Sequence, residues 1–255
     1  MKIAISGKGG VGKTTLAALL INYFREQGKK VLAVDADPDA NLALALGVAD
    51  PHAITPISDM KDLVAERTES TPGKMGGFFK MNPKVDDIPD KFSRQLDGVK
   101  LIVMGGVKKG GSGCICPESV LLRTLITHMV LLRDEVVVMD MEAGIEHLGR
   151  ATARGVDWLI VVVEPGRRSV ETALQVKQLA TDLGLTQVAV VGNKVRTPAD
   201  QEFLTRHLTH LPILGFLPFD EKIIEADLKG QPPYVLSPAM AEAARAIGER
   251  LVRES

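Results

Sequence analysis

Gly7-Lys8-Gly9-Gly10-Val11-Gly12-Lys13-Thr14-Thr15 follows the apolar run Ile3-Ala4-Ile5 and opens a pattern in which Leu16, Leu19, Leu20, Tyr23 and Phe24 recur at i, i+3, i+4, i+7 and i+8. That order predicts a strand, a phosphate loop and a helix. The glycines let successive backbone N–H groups converge on one point, and the N-terminus of the following helix adds the positive end of its dipole. Anionic oxygens are then held without extra side chains. In the pattern G-x-x-x-x-G-K-[ST], Lys13 neutralises the β- and γ-phosphates and Thr14 holds Mg²⁺. A glycine-rich loop that merely joins two elements is the weaker reading, because the pattern seldom falls by chance between a strand and a helix.

A chain of 255 residues is long enough for one large α/β domain whose core needs no staples. With 45% apolar and 25% charged residues, its composition is that of an ordinary soluble globular protein. The formal net charge is -1 and there is no long basic run, which argues against nucleic-acid binding through phosphate neutralisation. No uninterrupted apolar run approaches the roughly 18 residues of a membrane span. Met1-Lys2-Ile3 enters a strand at once, so no signal peptide is expected either. The expectation is a cytoplasmic, reducing location, where the two cysteines read first as thiols or metal ligands.

After the first helix, Val31-Leu32-Ala33-Val34 is a short apolar strand that runs into Asp35-Ala36-Asp37-Pro38-Asp39-Ala40-Asn41-Leu42. Carboxylates at the carboxyl end of a strand lie where open α/β sheets bind ligands. Beside a triphosphate they are tolerated when they face Mg²⁺ or water, since they otherwise repel the phosphates. Asp37 is the candidate for positioning the attacking water, with Asp39 and Asp35 as support and metal-side groups. The same residues also read as a turn and helix cap. From Asp50 to Gly98 the pattern weakens to a helix over Ile57 to Arg67, a loop from Thr71 to Gly77 and an aperiodic stretch to Asp90. This excursion reads equally as a partner contact or as a surface connection.

Lys100-Leu101-Ile102-Val103-Met104 is the next strand, and the loop over residues 105–118 contains Lys108-Lys109-Gly110-Gly111-Ser112-Gly113-Cys114-Ile115-Cys116-Pro117-Glu118. Pro117 suits the first turn of a helix and Glu118 its positive end, so a helix from Pro117 towards Leu132 is expected. Cys116 then lies at or beside the cap and Cys114 two residues earlier, close to two lysines, an environment that favours thiolate. A C-x-C pair supplies only half of a tetrahedral site. A disulfide across one residue strains the preferred geometry. A two-fold dimer axis near the loop would bring two pairs together, and four thiolates suit Zn²⁺ in tetrahedral form or Ni²⁺ in planar or distorted form. The alternative is two small buried hydrophobes ahead of a helix.

Val136-Val137-Val138-Met139 ends in Asp140, whose carboxylate is expected to hold Mg²⁺ through a water, while Gly144 lets a backbone N–H approach the γ-phosphate. Leu159 to Val163 and Val188 to Val191 are near-continuous apolar strands with an amphipathic helix from Val170 to Leu183 between them. The second of them leads to Asn193-Lys194-Val195-Arg196. Asn193 can present an acceptor and a donor to a purine edge, and Arg196 breaks the guanine-selecting N-K-x-D, which favours ATP. Pro218-Phe219-Asp220 is expected to close over the base. His147, His207 and His210 read as structural or solvated. The final helix, from Pro238 to Val252, places Ala241, Ala244, Ile247 and Leu251 on one face and reads as a core-docking helix rather than a membrane-surface anchor.

Lys8, directly after the first glycine, makes the loop resemble the deviant Walker A loop of the MinD/ParA-type ATPases. The resemblance implies that Lys8 reaches across a dimer to the partner's nucleotide, as an arginine finger would; a solvated loop lysine is the other reading. The combination of G-K-G-G-V-G-K-T, D-A-D-P-D-A-N-L, K-K-G-G-S-G-C-I-C-P-E and D-M-E-A-G-I-E-H-L is similar over nearly the whole chain to CooC-type ATPases. These support nickel insertion into carbon monoxide dehydrogenase, and their relatives serve acetyl-CoA synthase. What the resemblance implies is a dimeric, Mg²⁺-dependent ATPase whose two C-x-C pairs share one metal ion and whose client is an apo nickel enzyme. It also implies that Asn193 contacts adenine, with Lys194 and Pro218 beside it. The expected architecture is one doubly wound α/β domain over residues 1–255, of P-loop NTPase type, with a mostly parallel sheet of about seven strands. A MinD- or ParA-like positioning switch and an electron-transfer ATPase like nitrogenase iron protein are the other classes.

Overall fold

The structure, a computed structural model, describes residues 1–70, 78–106, 116–142, 145 and 148–254. Strand β1 (Lys2–Ser6) is buried along its whole length and runs into the glycine loop and helix α1 (Lys13–Glu26). There follow β2 (Val31–Ala36), α2 (Lys61–Thr68), β3 (Arg94–Leu96) and β4 (Val99–Val103). Next come α3 (Pro117–Leu132), β5 (Val136–Met141), β6 (Trp158–Val163) and α4 (Arg167–Leu183). The chain continues through β7 (Val188–Val195), α5 (Pro198–His207), β8 (Ile213–Pro218), α6 (Glu221–Lys229) and α7 (Pro238–Arg253). Single helical turns, such as Leu42–Ala45 and Arg150–Ala153, lie between them.

The eight strands form one sheet in the order β3-β4-β2-β5-β1-β6-β7-β8. All neighbours are parallel except β3, which pairs antiparallel with β4 through a turn at Gly98. The expected doubly wound parallel sheet is what forms, with this edge strand in addition. Arg94-Gln95-Leu96 is too short and too polar to show a strand period, and it joins the sheet because β4 offers an open edge.

Alternation along the strands divides the core between the two faces. Ile3 and Ile5 of β1 join Ala33, Val138 and Ile160 against α1 and α7. Ala4 joins Leu32, Val34, Met139 and Val161 against α3 and α4. Strands covered on both faces carry apolar residues at every position, which is why these runs show no polar alternation. On α1, Leu16, Leu20 and Phe24 are fully buried on a single stripe; each contributes about 1.5–3 kcal/mol of transfer free energy.

The helix expected over Ile57 to Arg67 is divided into a short 3-10 turn, Ile57–Asp59, and α2. The break follows from Ser58, whose N–H donates to Met104 O at 3.1 Å and anchors the turn to the end of β4. The Arg67 guanidinium grips both carboxylate oxygens of Asp87 at 3.0 and 2.9 Å, which ties the excursion back onto α2. That ion pair, with Lys91 beside it, holds the Asp87 carboxyl well below the usual range.

Candidate nucleotide site

Because seven strands run parallel, their carboxyl ends meet at one edge of the sheet, and β1, β2 and β5 are adjacent there. The glycine loop leaves β1 at Gly7, whose φ of +144° is open to glycine; a Cβ there would lie 2.5 Å from Val162 O on β6. Gly12 stands at φ +95°, and a Cβ on it would meet Asn193 Nδ2 at 2.2 Å. Gly7 and Gly12 are therefore required by backbone conformation and by close approach together. The chain turns into α1 at Lys13, so the loop stands at the positive end of the helix dipole, where anions bind. Lys13 is buried at 7% exposure, and Lys8 is half-buried without an ion pair among the described residues.

Asp35 and Asp140 are register partners on β2 and β5, both with no solvent exposure. Asp35 Oδ2 accepts the Leu42 N–H at 2.9 Å and Oδ1 accepts the Asp37 N–H at 3.3 Å, so it folds the 35–42 loop over the strand end. Burial pushes the Asp35 carboxyl up to about 7; the Leu42 N–H opposes this, and Asp140 adds to it. Asp37 in turn accepts the Asp39 N–H at 3.0 Å. These bonds form the turn that D-P-D-A-N also reads as, with Asp37 half-buried and Asp39 exposed.

Neither oxygen of Asp140 has a hydrogen-bond partner of ordinary geometry among the described residues. Burial pushes this carboxyl up to about 6, while the facing Thr14 hydroxyl and the Lys13 ammonium draw it back. A buried, unpartnered carboxylate beside a threonine hydroxyl at the start of the phosphate-loop helix suits a hard divalent cation that takes oxygen ligands. Asp140 and Thr14 are the residues that would hold Mg²⁺, and when bound it offsets the charge of the β- and γ-phosphates.

On the other side of the loop, the structure engages the Asn193 amide with the loop backbone. Asn193 is 4% exposed; its Nδ2 donates to Val11 O at 2.7 Å and its Oδ1 accepts the Lys194 N–H at 2.8 Å. The amide is engaged with the loop because β7 ends against it. Lys194 Nζ donates to Gly10 O at 2.7 Å and pairs with Glu164 at 3.2 Å. Pro218 closes β8, the Phe219 N–H donates to Val195 O at 2.9 Å, and the Arg196 guanidinium lies 3.7 Å above the Phe219 ring. A cleft of about 300 Å³ runs past Thr14 and Thr15 between Leu44, Ile223 and Pro233, with apolar walls that suit a base or a ribose.

Cys116 caps α3, its Sγ accepting the Ser119 N–H at 3.4 Å. Cys114, Gly144 and His147 lie outside the described residues. Among the described residues no group of three or more His, Cys, Asp or Glu could hold a metal ion. Sequence reasoning missed Glu164, which belongs to no motif, and Gly155, where a Cβ would come 2.3 Å from Leu131 of α3. Only the packing of one element on another could have revealed them.

A glycine loop between the first strand and its helix, with buried aspartates at the ends of β5, which pairs with β1, and of β2, the next strand along, defines a P-loop nucleotide-binding protein. The chain matches the CobQ/CobB/MinD/ParA nucleotide binding domain over residues 2–234 and belongs to that family. It is 48% identical over 245 residues to an uncharacterized ATP-binding protein of Methanocaldococcus jannaschii, covering 95% of this chain and 94% of that one. It is 47% identical over 249 residues to the carbon monoxide dehydrogenase accessory protein CooC of Rhodospirillum rubrum, covering 97% and 94%. The cell division ATPase MinD of Pyrococcus furiosus superposes with a TM-score of 0.69 at 25% identity, over 100% of this chain and 99% of that one. MinD of Pyrococcus horikoshii, complexed with Mg-ADP, gives 0.66 at 25% identity, covering 97% and 93%. The chain is an ATPase of this family, and its expected likeness to CooC is borne out. No helix among the described residues is long and apolar enough to cross a membrane.

Proposed function

We propose that this ATPase is a dimeric, Mg²⁺-dependent maturation factor that carries nickel on the C-x-C pairs of two subunits and supports its insertion into a carbon monoxide dehydrogenase or an acetyl-CoA synthase. The reading rests above all on the way the cysteine helix is joined to the nucleotide site. Cys116 caps α3, and Thr127 on that helix shares a hydrogen bond of 2.7 Å with Thr152, which lies just after the segment that begins at Asp140. Gly155 admits Leu131 and Val130 of α3 so closely that even a methyl group there would collide with them. A shift of residues 140–149 when the γ-phosphate is lost therefore moves α3 with it and re-aims the thiolates. The 47% identity to CooC supports the client class.

In this cycle Lys13 balances phosphate charge, Lys8 reaches the nucleotide of the other subunit, and Asp37, backed by Asp39, orients the attacking water. ATP binding favours the dimer, four thiolates hold one Ni²⁺ as cargo, and hydrolysis loosens the site; Zn²⁺ competes for the same sulfurs. One ATPase domain over residues 1–255 acts in the cytoplasm, with no part for nucleic acid or membrane. Native mass spectrometry under reducing, oxygen-free conditions, with Ni²⁺ and Mg²⁺ plus a non-hydrolysable ATP analogue, tests the proposal. A dimer with two nucleotides and one nickel ion is expected, the nickel being lost in the Cys114→Ala, Cys116→Ala double variant. A metal-free dimer in both forms would overturn the nickel role and favour a positioning switch.

A further inference from the structure

We infer that Lys194 is a positioning residue of the phosphate loop that acts through the Gly10 carbonyl, and that its left-handed backbone makes this possible. Successive side chains of a strand point to opposite faces, so residues 193 and 194 at the end of β7 would ordinarily diverge. Instead they converge on two consecutive carbonyls. Asn193 Nδ2 reaches Val11 O and Lys194 Nζ reaches Gly10 O, each at 2.7 Å. The convergence comes from a φ of +56° at Lys194, one of three non-glycine residues in the left-handed region among the described residues. Pairing with β8 shifts register over the same span, between Gly192 and Val195. The turn is held by the Lys194 N–H, which donates to Asn193 Oδ1 at 2.8 Å. Glu164 aims the ammonium from the neighbouring strand end at 3.2 Å. A lysine in a strained conformation, gripped on three sides, is the pattern of a functional constraint.

The consequence follows from peptide geometry. In a trans peptide the C=O and the following N–H point in opposite directions. With the Gly10 and Val11 carbonyls drawn towards β7, the N–H groups of Val11 and Gly12 are turned to the opposite side of the loop. Among the described residues the Val11 N–H there makes only a long contact, 3.4 Å, with Lys8 O. Lys194 and Asn193 thereby preorganise main-chain donors for anionic oxygens before any nucleotide arrives. The ligand class served is the polyphosphate chain, whatever base it carries, and the inference does not depend on the nickel role.

Calorimetric titration of Mg-ATP and of Mg-tripolyphosphate into the wild type, Lys194→Gly and Lys194→Arg separates the possibilities. Glycine adopts the left-handed turn without strain, so Lys194→Gly removes the amine while keeping the fold, which its melting temperature verifies. Loss of one charge-assisted hydrogen bond to the loop is expected to weaken ATP and tripolyphosphate alike by about tenfold. In hydrolysis the KM rises by the same factor while kcat stays within about twofold, since the amine touches a carbonyl and not the reacting atoms. Lys194→Arg recovers most of the affinity. Weakened ATP with unchanged tripolyphosphate binding would make Lys194 a base or ribose contact and overturn the inference. Unchanged affinity for both would overturn it as well, as would a loss in Lys194→Gly that tracks only a lowered melting temperature.

Discussion

Asp35 and Asp140 stand opposite one another on β2 and β5, equally buried, yet among the described residues only Asp35 accepts hydrogen bonds of ordinary geometry. Asp35 takes the N–H groups of Leu42 and Asp37 and shapes the loop after β2, whereas Asp140 keeps two unpartnered oxygens beside Thr14. Of two carboxylates at one sheet edge, one is thus engaged by the loop and the other is left open beside Thr14.

An unpartnered buried carboxylate destabilises the ligand-free fold. Asp140→Asn is therefore expected to raise the stability of the ligand-free protein near neutral pH, by up to about 3 kcal/mol for a carboxyl moved from its ordinary range to about 6. The same variant loses Mg²⁺-dependent hydrolysis. Thermal unfolding and phosphate release measure the two effects, and a variant less stable than the wild type would refute the account of Asp140.

The pH dependence has a definite sign. Both carboxyls are raised in the folded state, Asp35 to about 7 and Asp140 to about 6. The folded state therefore binds protons that the unfolded state has released, and stability is greatest below the unfolded value near 4 and falls as pH rises towards 7. The stability gap between Asp140→Asn and wild type should be small at pH 4, widen up to pH 6 and level off beyond it. Denaturant titrations at several pH values follow this gap, and a constant gap would contradict it.

Lys8 is half-buried and has no ion pair among the described residues, as a group reserved for another subunit's nucleotide would be. Lys8→Ala should lower ATP hydrolysis by a factor of about 10³ or more, the scale of a supplied arginine finger, with nucleotide binding to the monomer little changed. Hydrolysis that survives the substitution would remove the trans role.

Gly155 is not in the left-handed region; its constraint is space, set by the buried Val130, whose Cγ1 lies 2.8 Å from where a Cβ would stand, whereas the exposed Leu131 side chain can turn away. Gly155→Val should cost about 1–3 kcal/mol through overpacking. If α3 transmits the nucleotide state, the variant should also uncouple nickel release from hydrolysis. Intact coupling in a folded variant would mean that α3 is not the transmitting element.

Much of this was legible before the fold was known. The phosphate loop was readable because glycine spacing and the Lys13-Thr14 pair carry a local mechanism, and α3 begins at Pro117 as its residues indicate. The sheet was readable because two-sided burial makes β1, β2, β5, β6 and β7 nearly continuous apolar runs. The edge strand β3 escaped notice because it is stabilised by its neighbour and not by its own pattern. The type of Asn193 suits a purine edge, and the approach of β7 to Val11 adds a contact of its amide with the loop that no local pattern shows.

By itself the sequence determined the class of fold, the phosphate loop and the carboxylates at the strand ends, since backbone conformation, burial and anion binding depend on residues close together in the chain. The tertiary structure alone decided which buried aspartate is left unpartnered, that Lys194 and Glu164 govern Gly10, and that α3 rests on Gly155. These are contacts between residues far apart in the chain, created when the helices settle on a twisted parallel sheet, and no local pattern records them.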